Sequence, residues 1–161
     1  MIHDATVDDV PVVVSLVREL ATYEREPHAV VATEEMFREA LFGDAPKVFC
    51  LVAEDAVDGH AGEVVGFAVW FFTFSTWLGR HGVYLEDLFV RPEARGRGHG
   101  RALLAELARI AVAAGCGRVE WAVLDWNSAA QGFYRSLGAE PMEEWTTWRL
   151  TGNALQTLSR Q

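Results

Sequence analysis

Apolar residues recur along this chain in two rhythms, helical and alternating, and the changes between them mark out its elements. Residues 2–5 form a short strand. Thr6-Val7-Asp8-Asp9 then reads as a helix N-cap with acidic residues in its first turn, and Val10, Val13, Val14, Val17, Leu20 and Ala21 follow helical spacing. That helix reaches about Glu24, and Pro27 stops its simple continuation. Thr33, with Glu34 and Glu35 behind it, opens a second helix through Met36, Phe37, Ala40 and Leu41 that Gly43 ends. Residues 48–54 are then a buried strand, 55–62 a turn rich in Asp and Gly, and 63–75 a longer strand of mostly aromatic and β-branched residues around Gly66. The two strands make an antiparallel hairpin. After a loop over 76–82, residues 83–90 form the next strand.

From Arg101 onward, Leu103, Leu104, Leu107, Ile110 and Ala111 share one helical face, and Gly115 ends that helix. Residues 118–124 are a strand, Asn127 caps a helix that runs through Leu137 to Gly138, and 139–150 hold a last strand with an irregular start at Pro141. Nothing past Thr151 carries a clear signal. The order βααβββαβαβ predicts an α/β (α+β) architecture, a mixed central sheet with an antiparallel N-terminal meander and helices on its faces. No repeat, low-complexity tract or linker interrupts it, so residues 1–161 are read as a single domain.

Charge changes this picture in one place. The formal net charge is -9, which argues against nucleic acid as the main partner and favours the approach of a cationic substrate. No apolar run reaches the ~18 residues of a membrane span, and the N-terminus lacks a basic segment followed by an apolar one; a soluble, cytoplasmic protein is expected. Cys50 and Cys116 form no C-x-x-C pair, Cys50 reads as a core residue, and the histidines lack ligand spacing, so neither disulfide nor metal is expected. Against this acidic background Arg95, Arg97, His99 and Arg101 alternate with Gly96, Gly98 and Gly100. Glycines let the backbone approach a ligand closely, and the unpaired N–H groups of a helix start bind phosphate.

Three phosphate-binding motifs compete for this turn. A P-loop ends Gly-Lys-Ser/Thr, whereas this turn ends Gly100-Arg101-Ala102; the magnesium-holding hydroxyl is missing. A dinucleotide fingerprint needs its third glycine at position 101, which is arginine, and the antiparallel hairpin before the turn does not fit a βαβ half. Arg95-Gly96-Arg97-Gly98-His99-Gly100 does match R/Q-x-x-G-x-G/A, and so resembles the GNAT superfamily of N-acetyltransferases. The likeness extends further: Tyr84 to Val90, Trp126-Asn127, Phe133-Tyr134, Glu19-Leu20-Ala21 with Tyr23-Glu24, and Val65 to Ala68 resemble the diamine acetyltransferases of the spermidine/spermine type.

The resemblance implies the GNAT fold, acetyl-CoA as co-substrate, no metal, and a homodimer. It places the pyrophosphate on residues 95–101, that is Arg95, Gly96, Arg97, Gly98, His99, Gly100 and Arg101. Leu88, Phe89 and Val90 would pair with the pantetheine arm through their backbone, with Asn127, Ala129 and Ala130 also against CoA. Tyr134 becomes the proton donor to the departing thiolate and Glu86 the base. The acceptor contacts fall on Tyr23, Glu24, Trp77, Glu86, Asp87, Glu120, Trp121 and Ala122. The chemistry needs such a set, because an alkylammonium with a pKa near 10.4 must lose a proton before it attacks and the thiolate is helped by gaining one. A regular strand points Glu86 and Asp87 to opposite faces, so only one reaches the cleft unless a bulge re-aims them. Ser75 stands where the polyamine enzymes commonly carry an acidic residue, which leaves room for a shorter diamine or lysine-like amine. An aminoglycoside or protein amine as acceptor, and a non-catalytic acyl-CoA sensor, remain the alternatives.

Overall fold

A computed structural model describes residues 1–57 and 60–160. The chain divides into two compact units, Met1–Ala122 and the remainder from Val123. The first carries a five-stranded sheet in the order β1 (Ile2–Asp4), β2 (Phe49–Val57), β3 (His60–Ser75), β4 (Arg80–Val90) and β5 (Val119–Glu120). The first three pairings are antiparallel and β4 pairs β5 in parallel, so the sheet is mixed. Helices α1 (Val10–Tyr23), α2 (Glu34–Phe42) and α3 (His99–Ala113) complete this unit.

The helix signals act as their chemistry predicts. The Asp9 carboxylate accepts from both the backbone N–H and the hydroxyl of Thr6, at 2.7 and 2.8 Å. Thr33 Oγ1 accepts from Met36 N at 3.2 Å and starts α2, which stops at Gly43. On one face of the sheet Val13, Leu16 and Leu20 of α1 and Leu41 of α2 pack on Cys50, Val52, Phe67, Val69 and Phe89. Strand alternation sends Leu51, Ala53 and Ala68 to the other face, where α3 buries Leu103, Leu104, Leu107 and Ala111. Cys50 is buried as expected, and burial pushes its thiol up to about 12, which makes it inert.

Several boundaries differ from the sequence expectation. The β2–β3 hairpin continues to the Val57–His60 pair, so strand takes up 55–57 and 60–62 of the expected turn over 55–62, and residues 58 and 59 lie outside the described residues. The 76–82 loop also shortens to 76–79. Ser75 Oγ accepts from Leu78 N at 3.2 Å and Gly79, at φ 64°, closes the turn, so β4 begins at Arg80. The position that departs from the polyamine-type pattern therefore serves as a buried turn closure.

Two corrections concern the later chain. The strand expected over 118–124 is reduced to Val119–Glu120, the two residues that pair with Val83 and Tyr84. In the second unit no strand forms over 139–150; that stretch is irregular, with a turn at Glu143-Glu144, and most of its residues are exposed. Alternating polar and apolar positions make a strand only where a neighbouring strand receives their hydrogen bonds. The second unit instead consists of α4 (Ser128–Ser136) and a short α5 (Gly152–Leu158) that the sequence did not signal.

Candidate active site

The glycine turn is built where the end of β4 passes through a single 3-10 turn, Pro92–Ala94, into α3. Gly96 and Gly98 have φ of 78° and 89°, left-handed conformations that cost other residues about 1–2 kcal/mol each. A Cβ at either position would meet nothing within 4 Å. The glycines are thus required by backbone geometry, and the space before them is open. Gly98 is the N-cap of α3, whose first helical bond runs from Ala102 N to Gly98 O at 2.9 Å. The N–H groups of His99, Gly100 and Arg101 precede it and have no acceptor within the helix, which makes this end suited to an anion.

The cations around the turn are engaged in different ways. Arg95 donates from Nε to Val90 O at 2.9 Å, and its guanidinium lies 4.9 Å from the centroid of the Tyr23 ring and 5.5 Å from that of Phe89. It therefore joins the end of α1, where Tyr23 and Glu24 sit, to the end of β4. Arg97 Nη1 bonds Asp55 Oδ2, its Nη2 donates to Glu93 O at 3.2 Å, and His99 Nε2 donates to Asp55 Oδ1 at 3.3 Å. Arg101 is exposed. Arg91, next to the turn, is clamped between Glu19 of α1 and Glu63 of β3, and their carboxylates raise its pKa. The carbonyl of Val90, one of the three backbones expected against the pantetheine, is occupied by Arg95.

The pairing of β3 with β4 contains an irregularity at the expected carboxylates. Val69 is opposite Asp87, but the next residue, Trp70, is opposite Leu85, so Glu86 is an extra residue on β4. This is a bulge, the device that lets adjacent side chains turn to one side. Glu86 and Asp87 accordingly both line one cavity of about 260 Å³, whose other walls are apolar: Met36, Phe37 and Ala40 of α2, with Val48 and Val69. Burial raises the Asp87 carboxyl to about 6, with the charges of Glu86 and Glu24 adding to it. Glu24 is raised as well, by burial. The result is an apolar recess with a cluster of negative charge at one end, which an ammonium would relieve.

The remaining acceptor candidates separate. Glu120 pairs with Tyr84 across the parallel ladder and bonds Arg118 at 2.7 Å. The Tyr84 hydroxyl is raised by burial and then by Glu86 and Glu120, so Glu120 borders the acidic region. Trp121 and Ala122 follow β5 as coil. Trp77 is 88% exposed at the tip of the β3–β4 hairpin, six strand residues or roughly 20 Å before Glu86; the structure does not bring it to the carboxylates. Among the described residues, the β4–β5 ladder ends at Tyr84.

In the second unit, Asn127 Oδ1 accepts from Ala130 N at 3.2 Å and so caps α4, with Ala129 and Ala130 in the first turn. Tyr134 is half-buried on the same helix, its ring 5.4 Å from that of Phe133. Among the described residues no group of three or more His, Cys, Asp or Glu side chains could hold a metal ion, and no helix is long and apolar enough to cross a membrane. The sequence reading missed Asp55, 42 residues from Arg97, and the α2 wall. An Asp in a turn-rich stretch gave no sign of its partners, and Met36, Phe37 and Ala40 carried only the helical spacing of a core face.

The acetyltransferase (GNAT) family profile matches residues 13–139. The chain is 40% identical over 167 residues to thialysine N-epsilon-acetyltransferase of Bos taurus, covering 99% of this chain and 96% of that enzyme. It is 34% identical over 196 residues to an L-ornithine N5-acetyltransferase of Arabidopsis thaliana, covering 97% and 86%. Among solved structures, an integron cassette protein from the mobile metagenome of V. cholerae superposes with a TM-score of 0.79 at 28% identity, covering 100% of this chain and 98% of that one.

Proposed function

Since the chain belongs to the GNAT family of acetyltransferases, we propose that it transfers the acetyl group of acetyl-CoA to the terminal amine of a small lysine-like molecule or diamine. The observation that carries the acceptor side is the bulge at Glu86, by which two neighbouring acidic residues both line one small, mostly apolar cavity. An alkyl stem matches its walls and an ammonium matches its acidic end. The relatives that act on thialysine and ornithine support the same chemistry, since each carries an amine on a short apolar stem.

Each proton has a proposed path. Glu86 takes the ammonium proton through water; the freed nitrogen attacks the acetyl carbonyl carbon and the C–S bond breaks. Tyr134 gives its hydroxyl proton to the departing thiolate, and its oxygen takes up the second proton that the nitrogen loses as the amide forms, roles assigned from its residue type and family resemblance. Asp87 and Glu24 hold the ammonium by charge while Tyr23 lines the approach. The diphosphate of CoA lies on the amides of residues 96–101 and the pantetheine pairs with the backbone of Leu88 and Phe89, while the resemblance assigns Asn127, Ala129 and Ala130 to CoA. The site works by holding attacker and thioester together, without a covalent enzyme intermediate. Glu120, Trp121 and Ala122 border the acceptor, whereas Trp77 serves only a ligand long enough to reach the hairpin tip.

The two free cysteines fit a cytoplasmic protein, and the net charge of -9 argues against nucleic acid. A homodimer is the assembly that the resemblance implies, and gel filtration tests it. The function itself is tested by thiol release from acetyl-CoA across a panel of lysine-like amines, diamines, polyamines and aminoglycosides. Fastest turnover on the short-stemmed primary amines is expected; CoA binding without turnover on any amine would mean a sensor.

A further inference from the structure

Asp55 stands outside the roles above, yet it touches two residues of the donor turn. Its two carboxylate oxygens are divided between them, Oδ2 bonding Arg97 and Oδ1 accepting from His99 Nε2 at 3.3 Å. These partners lie 42 and 44 residues away, on another element, so the contact is tertiary. The side chains of His99 and Asp55 are 11% and 24% exposed, that of Arg97 58%. Two of the four basic side chains of residues 95–101 thus face an internal anion, while Arg95 is fixed on Val90 O and the aromatic rings.

We propose that Asp55 is an internal counter-anion, a positioning residue that holds Arg97 and His99 until the diphosphate of CoA exchanges with it. A phosphate offers more oxygens and more charge than a carboxylate, and charge-assisted bonds to guanidinium favour it. The Arg97–Asp55 pair is solvated on the arginine side, so breaking it costs little. Asp55 and the diphosphate are like charges drawn to the same guanidinium, so Asp55 repels the diphosphate that displaces it. The carboxylate therefore fixes Arg97 and His99 and weakens the hold on acetyl-CoA and CoA alike, which speeds departure of the product.

This inference rests on the reading of the turn as the diphosphate site, and the test separates the two. Calorimetric titration of the full chain with CoA is compared for wild type, Asp55→Asn and Asp55→Glu, alongside turnover with acetyl-pantetheine, a donor that lacks the diphosphate. Asp55→Asn is expected to bind CoA about three- to fivefold more tightly, with its acetyl-pantetheine KM unchanged and Asp55→Glu close to wild type. Tightening should diminish as salt is raised. Unchanged or weaker CoA binding in Asp55→Asn overturns the counter-anion role, as does an equal shift with acetyl-pantetheine. A wild-type chain that uses acetyl-pantetheine as well as acetyl-CoA overturns the diphosphate site itself.

Discussion

The glycine turn proposed to hold the donor and the cavity proposed to take the acceptor are assembled in opposite ways. The turn is a consecutive stretch, residues 95–101, whose glycines carry their conformation with them wherever the stretch lies. The cavity draws on α2, on Val48 and Val69, and on β4, and it exists only because the sheet and helix are already in place. Local chemistry thus specifies what donates, while tertiary packing specifies what accepts. Relatives can keep the first and change the second by altering a few wall residues.

Substitutions confined to one region should separate the two. The largest expected effect is that of Glu86→Gln, which lowers kcat/KM for the amine about 100-fold at neutral pH and leaves the Kd of CoA unchanged. The deficit shrinks as pH rises toward the pKa of the amine, and a pH-independent deficit in steady-state profiles would remove Glu86 as base. Ala40→Phe, which narrows the cavity from α2, is expected to raise the amine KM about tenfold with the acetyl-CoA KM constant. An equal rise in both constants would mean that α2 does not line the acceptor.

Gly98→Ala acts on the other side. The left-handed strain of about 1 kcal/mol should raise the acetyl-CoA KM about fivefold and leave the amine KM alone, as initial rates with each substrate varied will report. The smallest signal is thermodynamic. Asp87 titrates at about 6 in the folded chain against an ordinary 3.8, so the folded state binds the proton more tightly than the unfolded one. Its contribution is full below pH 4 and is lost as pH rises through 6. Asp87→Asn should therefore flatten the stability curve between pH 4 and 7 by on the order of 1 kcal/mol, discounted for partial solvation, read as Tm against pH. A saturating amine should lower the Asp87 pKa, which makes amine binding stronger above pH 6.

The same contrast explains what the sequence disclosed. Thr33, Gly43, Gly96 and Gly98 act through their own backbone or the next few residues, and the structure bears out the helix starts and the turn they signal. Glu86 and Asp87 were recognisable as candidates, but alternation alone allowed only one of them into a cleft. The bulge that admits both depends on the register against β3, which residue spacing on a single strand does not encode. Residues 139–150 failed for the complementary reason: they carry strand-forming residues such as Trp145, Thr146 and Thr147, yet they join no ladder, and the Trp145 N–H closes a local turn on Met142 O instead. Asp55 was hidden because its partners lie on a distant element, and Met36 because one helical period serves core and cavity alike.

The inserted residue at Glu86 has a consequence for how such a chain can change. A three-nucleotide deletion there would remove the proposed base and regularise the β3–β4 ladder together, with Asp87 turned according to ordinary strand alternation. Neither the glycine turn nor the α3 that follows it depends on that extra position. A single in-frame codon loss is therefore a short genetic route from an enzyme to a fold that still grips its donor and has no means of using it.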